Sequence, residues 1–217
     1  TSKTLNEENH TEVASLYKKS SINLLLISGL FFVLINANVN QLFNLLPQQY
    51  AGGELVVFMI SFVKMYNGFL GNNGAIINNS QYYKITLPYS FMMAISVYAL
   101  NWLFYYKLEM GTDGLALATL IVIFFANTGK ILFVKRKFSM TPFTDKSWLM
   151  IGIILGIYII FTFWDFPFHS LYIWKVPVHQ MINILLKSIL ITILYLYLVM
   201  KLNISDEIKR LSKRFYK

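Results

Sequence analysis

Apolar residues gather into six long runs, at about residues 22–46, 54–72, 86–106, 114–134, 147–165 and 178–200, with polar residues collected between them. A helix crossing a hydrocarbon core of about 30 Å needs about 20 mostly apolar residues. Each run has roughly that length and predicts a membrane-spanning α-helix. Strands are excluded because a lipid-exposed open sheet leaves its edge amides without partners in hydrocarbon. The expected fold class is an all-α membrane protein, a six-transmembrane-helix bundle over residues 22–200. Residues 1–21 read as a cytoplasmic connector, with Val13, Leu16, Tyr17 and Ser20 on one side of an amphipathic surface helix. Residues 201–217 read as a basic cytoplasmic tail.

Charge gives the runs a direction. Of the 19 Lys and Arg residues, fifteen lie in the leading segment, the gaps near 73–85 and 135–146, the helix end beside the latter, and the tail. The opposite gaps hold only Lys107 and Lys175, alongside Glu54, Glu109, Asp113 and Asp165. Cytoplasmic loops accumulate Lys and Arg, so both ends of the chain are expected on the cytoplasmic side. Trp102, Tyr105, Tyr106, Trp164, Tyr172 and Trp174 fall at the expected outer boundaries, and Tyr82, Tyr83 and Trp148 at the inner ones, as interfacial anchors do.

Composition narrows the function classes. The chain is 56% hydrophobic and only 13% charged, where a soluble domain is about a quarter charged. Its net charge of +9 flanks the apolar runs and forms no basic face. Anionic lipid headgroups are therefore the expected partner, and nucleic acid is not. With no cysteine there is no disulfide framework, thiolate metal site or cysteine nucleophile. His10, His169 and His179 show no metal-ligand spacing, and no serine nucleophile or phosphate loop is recognisable. The chain is not expected to be an enzyme or to carry a cofactor. It starts at Thr1 with a polar segment, and we expect it to begin in the middle of a longer protein.

The informative positions are polar residues within the apolar runs, because an ionisable group at membrane depth costs about 2.5–3.5 kcal/mol on insertion scales. Lys64 shares a helical face with Ser61, Asn67, Gly68 and Gly71. Lys187 shares one with Gln180, Asn183 and Ser188. Asn36, Asn40 and Asn44 are spaced by four in the first run, with Asn38 and Gln41 beside them. Two readings stand for each group. The amides are either interhelical glue or contacts to a polar ligand. The lysines either line a hydrated cavity or snorkel to an interface. No carboxylate lies in the middle of any run, so a cavity walled by lysine and amide suits an anion such as a phosphate or pyrophosphate.

Three stretches carry a family resemblance: LPQQYAGG followed by VKMYNGFLGNNGAII and NNSQYYK, then MGTDGLALATLI, then FVKRKFSMTPFT. In this order and spacing they resemble the second half of the lipid-linked oligosaccharide (O-antigen type) flippases. These belong to the multidrug/oligosaccharidyl-lipid/polysaccharide exporter superfamily. The resemblance implies two six-helix lobes facing a central cavity in the bacterial inner membrane, this chain being the C-terminal lobe. It implies alternating-access transport of a polyprenyl-pyrophosphate-linked oligosaccharide. The partners implied are the N-terminal lobe of the same protein and the polysaccharide polymerase machinery. Under it Lys64 and Lys187 are the candidates for the cationic cavity wall, and Asn67, Asn36, Asn40 and Asn183 for further substrate contacts. Two alternatives stand beside it: a multidrug or organic-cation exporter of the same fold, and a membrane-embedded glycosyltransferase or glycan ligase.

Overall fold

The computed structural model describes residues 10–167, 172–173 and 176–205. Among them are eight α-helices: α1 His10–Ala37, α2 Val39–Leu45, α3 Glu54–Phe69, α4 Asn73–Asn78, α5 Thr86–Asn101, α6 Gly111–Phe138, α7 Asp145–Thr162 and α8 Val178–Lys201. Short 3-10 turns at Gln48–Tyr50 and Tyr83–Ile85 precede α3 and α5, and α5 runs on as a π-helical segment, Trp102–Lys107. One antiparallel pair, β1 Tyr172–Ile173 with β2 Val176–Pro177, precedes α8. Lys3, His169, Trp174, Lys175 and the basic tail from residue 206 lie outside the described residues.

Five helical stretches are long and apolar enough to cross a membrane: His10–Ala37, Tyr83–Lys107, Gly111–Phe138, Asp145–Thr162 and Val178–Lys201. The chain is an all-α membrane protein. The apolar run at 54–72 gives a shorter helix, α3, of 16 residues, or about 24 Å at 1.5 Å per residue. It ends because Gly71 takes a left-handed conformation (φ 54°). A Cβ at that position would come within 2.6 Å of the Ser20 and Ser21 hydroxyls.

Successive long helices alternate in direction. Asn36 on α1 meets Ser61 on α3, while Ser20 meets Asn72, so α1 and α3 are antiparallel. Asn38 meets Ser188 and Asn23 meets Ser205, which sets α8 antiparallel to α1. Val13 and Tyr17 at the start of α1 pack with Ile76 and Ile77 of α4 and Val134 near the end of α6. Lys18, Lys19, Lys84, Lys130, Lys135, Arg136, Lys137 and Lys201 therefore gather at one end of the bundle, which we call the basic end. Asp165 and the α5–α6 junction, with Lys107, Glu109 and Asp113, lie at the other.

The centre of the bundle is α1, which packs against α3, α7 and α8. The apolar interior includes Leu25, Phe32, Val33, Ile154, Ile191 and Tyr195. In lipid, apolar faces gain nothing from water exclusion, so close approach through small residues holds helices together. Gly29 provides that approach: a Cβ there would lie 2.3 Å from Ile154 Cδ1 and 3.0 Å from Tyr195 Oη. Gly29→Val is expected to cost about 1–3 kcal/mol through overpacking. An unchanged thermal midpoint in detergent micelles would contradict this packing. At the periphery, α5 buries none of its residues and packs chiefly on α6.

The first helix differs from expectation at both ends. It was expected over 22–46, behind a separate surface helix. Instead α1 starts at His10, runs unbroken through residue 21 and stops at Ala37. Val13 and Tyr17 are buried at 1% and 0% exposure, so this face extends the core rather than lying on a membrane surface. The break at residue 38 has a local cause. Asn36 Nδ2 donates to Phe32 O at 2.7 Å, and Asn38 Nδ2 donates to Leu34 O at 2.8 Å. Such bonds offer the backbone carbonyls an alternative to the helical ladder. At α7 the start is set by a capping box, in which Thr144 and Ser147 exchange side chain-to-backbone hydrogen bonds.

Candidate functional site

An open groove of about 470 Å³ runs between α1 and α3. Phe31, Phe32 and Ile35 form one wall; Val56, Val57 and Ile60 form the other. Its polar lining is Ser28, Ser61 and Lys64. Beneath it, Phe32 meets Phe58 and Tyr158 edge-on and tilted, each at 5.7 Å between ring centroids. These contacts pack the Phe32 wall of the groove against α3 and α7. Lys64 is exposed, and among the described residues no ion-pair partner is found for it. Ser28 marks its level, because its hydroxyl donates to Leu24 O at 2.7 Å and to Met65 O at 3.3 Å. The cation thus stands toward the basic-end side of the groove, with Ser28 and Ser61 near it and apolar residues along the rest.

Asn67 lies one turn beyond Lys64 on α3 and is exposed. Its Oδ1 accepts a 2.6 Å hydrogen bond from Nδ2 of Asn127 on α6, a residue only 2% exposed. One residue back, the Tyr66 and Thr128 hydroxyls lie 2.9 Å apart. The Lys64 face of α3 therefore continues into an amide pair that fixes α3 against α6.

The amides of the first apolar run separate into two roles. Asn36 is buried and donates to Ser61 Oγ at 2.7 Å, bridging α1 to α3 directly beneath the groove. Asn40 and Asn44 are exposed on α2. The helix break at residue 38 prevents the three from forming one continuous ladder.

Lys187 departs from the cavity-lining role expected of it. Its side chain is 2% exposed, and Nζ lies 3.0 Å from Asp165 Oδ1. Gln41 Nε2 donates to the same carboxylate oxygen. Asn183 Oδ1, one turn before Lys187, accepts from the Phe166 backbone N–H at 3.4 Å. The segment following α7 thus folds back over α8 and α2, and a carboxylate meets the ammonium. Among the described residues, the buried side-chain carbonyl oxygens of Asn36, Asn38 and Gln41 have no hydrogen-bond partner. Lys187 does not line the groove that Lys64 occupies, so the two lysines stand in different settings.

Asp165, Gln41 and Asn127 are the residues that sequence reasoning did not assign. Asp165 is three positions past the end of α7 and reads as an outer-boundary carboxylate; only the fold-back segment carries it to Lys187. Asn127 opens the polar stretch Asn127-Thr128-Gly129-Lys130 near the end of its apolar run, and that stretch was the signal available. Among the described residues no group of His, Cys, Asp or Glu is placed to hold a metal ion. Compared with protein-family models, curated proteins and solved structures, the chain matches none.

Proposed function

We propose that this chain is the C-terminal half of a flippase that moves a polyprenyl-pyrophosphate-linked oligosaccharide across the bacterial inner membrane by alternating access. In this reading α3 also spans the membrane, as the second of six spans, both ends of the chain face the cytoplasm, and an N-terminal lobe closes the transport cavity. The polymerase machinery that uses the exported glycan is a further partner. The reading is supported above all by the α1–α3 groove. It joins an apolar groove to an exposed ammonium with no ion-pair partner among the described residues, the combination suited to an amphiphilic anion. Lys64 would hold a phosphate oxygen and Asn67 a neighbouring polar group, while the apolar walls accept polyprenyl carbons. Asn36 would act by positioning Ser61 beside Lys64, and Lys187 by holding the outer end of the bundle together.

The sign of the charge separates this reading from an organic-cation exporter, which would place a carboxylate where Lys64 stands. The test is transport by the full-length protein in proteoliposomes. A fluorescent polyprenyl-pyrophosphate oligosaccharide is offered in one set and a quaternary ammonium dye in another. Translocation of the glycan lipid and none of the dye is expected. Translocation of the dye alone would overturn the proposal.

A further inference from the structure

We propose that the seam between α5 and α6 is a binding site for one anionic phospholipid of the phosphatidylglycerol class. Its headgroup would lie at the basic end and one acyl chain along the seam. This site is separate from the α1–α3 groove and does not depend on what the protein transports.

Two adjoining hollows define the site. The first, about 220 Å³, lies between α4, α5 and α6 at the basic end. Its chemically distinctive lining is Asn78, Thr86, Tyr89 and the half-buried Lys130, and none of its lining residues is acidic. The second, about 380 Å³, continues along the seam past Met92, Met93 and Leu100 of α5 and Ile121 and Phe125 of α6. Tyr89 and Gly129 line both, so the hollows are contiguous. From Tyr89 to Leu100 the groove extends about 16 Å at the helical rise. It is polar and cationic at one end and apolar along the rest, which is the layout of a phospholipid.

Side-chain placement favours a phosphate at the polar end. Lys130 Nζ lies 5.8 Å from the centroid of the Tyr89 ring, which sets the ammonium beside the cavity mouth. Tyr89 is held across the seam by donating its hydroxyl to Ala126 O. Glycine at 129 permits this, since a Cβ there would lie 2.9 Å from that hydroxyl. Thr86 Oγ1 donates to Asn78 Oδ1 at 2.8 Å on the same wall. A second cation, Lys137, stands 5.3 Å from the Tyr82 ring, which itself packs against Phe133 of the cavity lining. Lys84 is exposed two residues before Thr86. Basic pockets between spans on the cytoplasmic side attract anionic headgroups. A free phosphate would use the first hollow only. The apolar second hollow and the unburied face of α5 commit the site to a ligand with an acyl chain.

The experiment uses native mass spectrometry of the full-length protein. The probes are dioleoylphosphatidylglycerol, dioleoylphosphatidylcholine and, as a headgroup without chains, glycerol 3-phosphate. Retention of one phosphatidylglycerol at least about tenfold over phosphatidylcholine is expected, roughly the effect of one to two nearby basic residues. No retention of glycerol phosphate is expected. Lys130→Ala should bring phosphatidylglycerol retention down to the phosphatidylcholine level. Gly74→Phe keeps the charge but fills the first hollow, where a Cβ meets nothing within 4 Å, and it should lower retention of both lipids. Lys107→Ala, at the opposite end, should change neither. Equal retention of the two lipids by the unmodified protein overturns the proposal whatever the variants do. So does retention of glycerol phosphate as strong as that of the lipid, or full retention by Gly74→Phe.

Discussion

Asp165→Ala is expected to destabilise the protein by about 1–3 kcal/mol, because it strands the buried Lys187 ammonium, while the half-exposed carboxylate it removes is partly screened by water and the cost stays below that of a fully buried pair. The Lys187 side chain is 2% exposed and its ammonium finds its counter-charge in Asp165 alone among the described residues. Without that carboxylate the cation stays in the interior of the bundle beside Gln41 and Asn183. The reverse substitution is predicted to be much milder. The Asp165 side chain is 54% exposed, so after Lys187→Met water can solvate the remaining carboxylate. The methionine also keeps most of the volume of the lysine stem. Thermal unfolding in detergent micelles should therefore rank Asp165→Ala well below Lys187→Met. The double variant should recover most of the loss, because no unpaired charge remains. Equal midpoints for the two single variants, or the opposite order, would mean that the pair does not hold that end of the bundle together.

Lys64→Ala should have the opposite profile, with activity lost and stability kept. The side chain is exposed and has no ion-pair partner among the described residues, so its loss is expected to change stability by no more than about 0.5 kcal/mol. A charged hydrogen bond to phosphate is worth about 1.5–3 kcal/mol. Its loss corresponds to about a 10–100-fold fall in glycan-lipid translocation by reconstituted full-length protein. Lys64→Arg should retain part of the activity, since it keeps the charge while changing the geometry. Undiminished translocation by Lys64→Ala with normal membrane insertion would remove the groove from the transport path. A matched fall in thermal midpoint would instead assign Lys64 a structural role.

By sequence pattern these two lysines look alike. Each is a single cation within a long apolar run, on a helical face shared with amides and serine. What separates them is a carboxylate lying 22 positions from Lys187, in a segment whose return path hydrophobic periodicity does not encode. The amides divided for a similar reason. A spacing of four places Asn36, Asn40 and Asn44 together only if the helix continues, and side-chain bonds from Asn36 and Asn38 to preceding carbonyls accompany its end at Ala37. The connector expected at 1–21 was also altered by long-range packing. Val13 and Tyr17 look like one side of a surface helix until Ile76, Ile77 and Val134 come to cover them.

The sequence by itself determined the helical class, the approximate position of each long helix after the first and the gathering of the described cations at one end. These follow from apolar run length and loop charge, and neither depends on which helix neighbours which. Only the tertiary structure decided that Lys187 is paired while Lys64 has no ion-pair partner among the described residues, that α1 breaks beside the ion pair, and where the two grooves open. Those outcomes depend on contacts between distant segments, where a few ångströms decide whether a charge meets a partner or faces a groove.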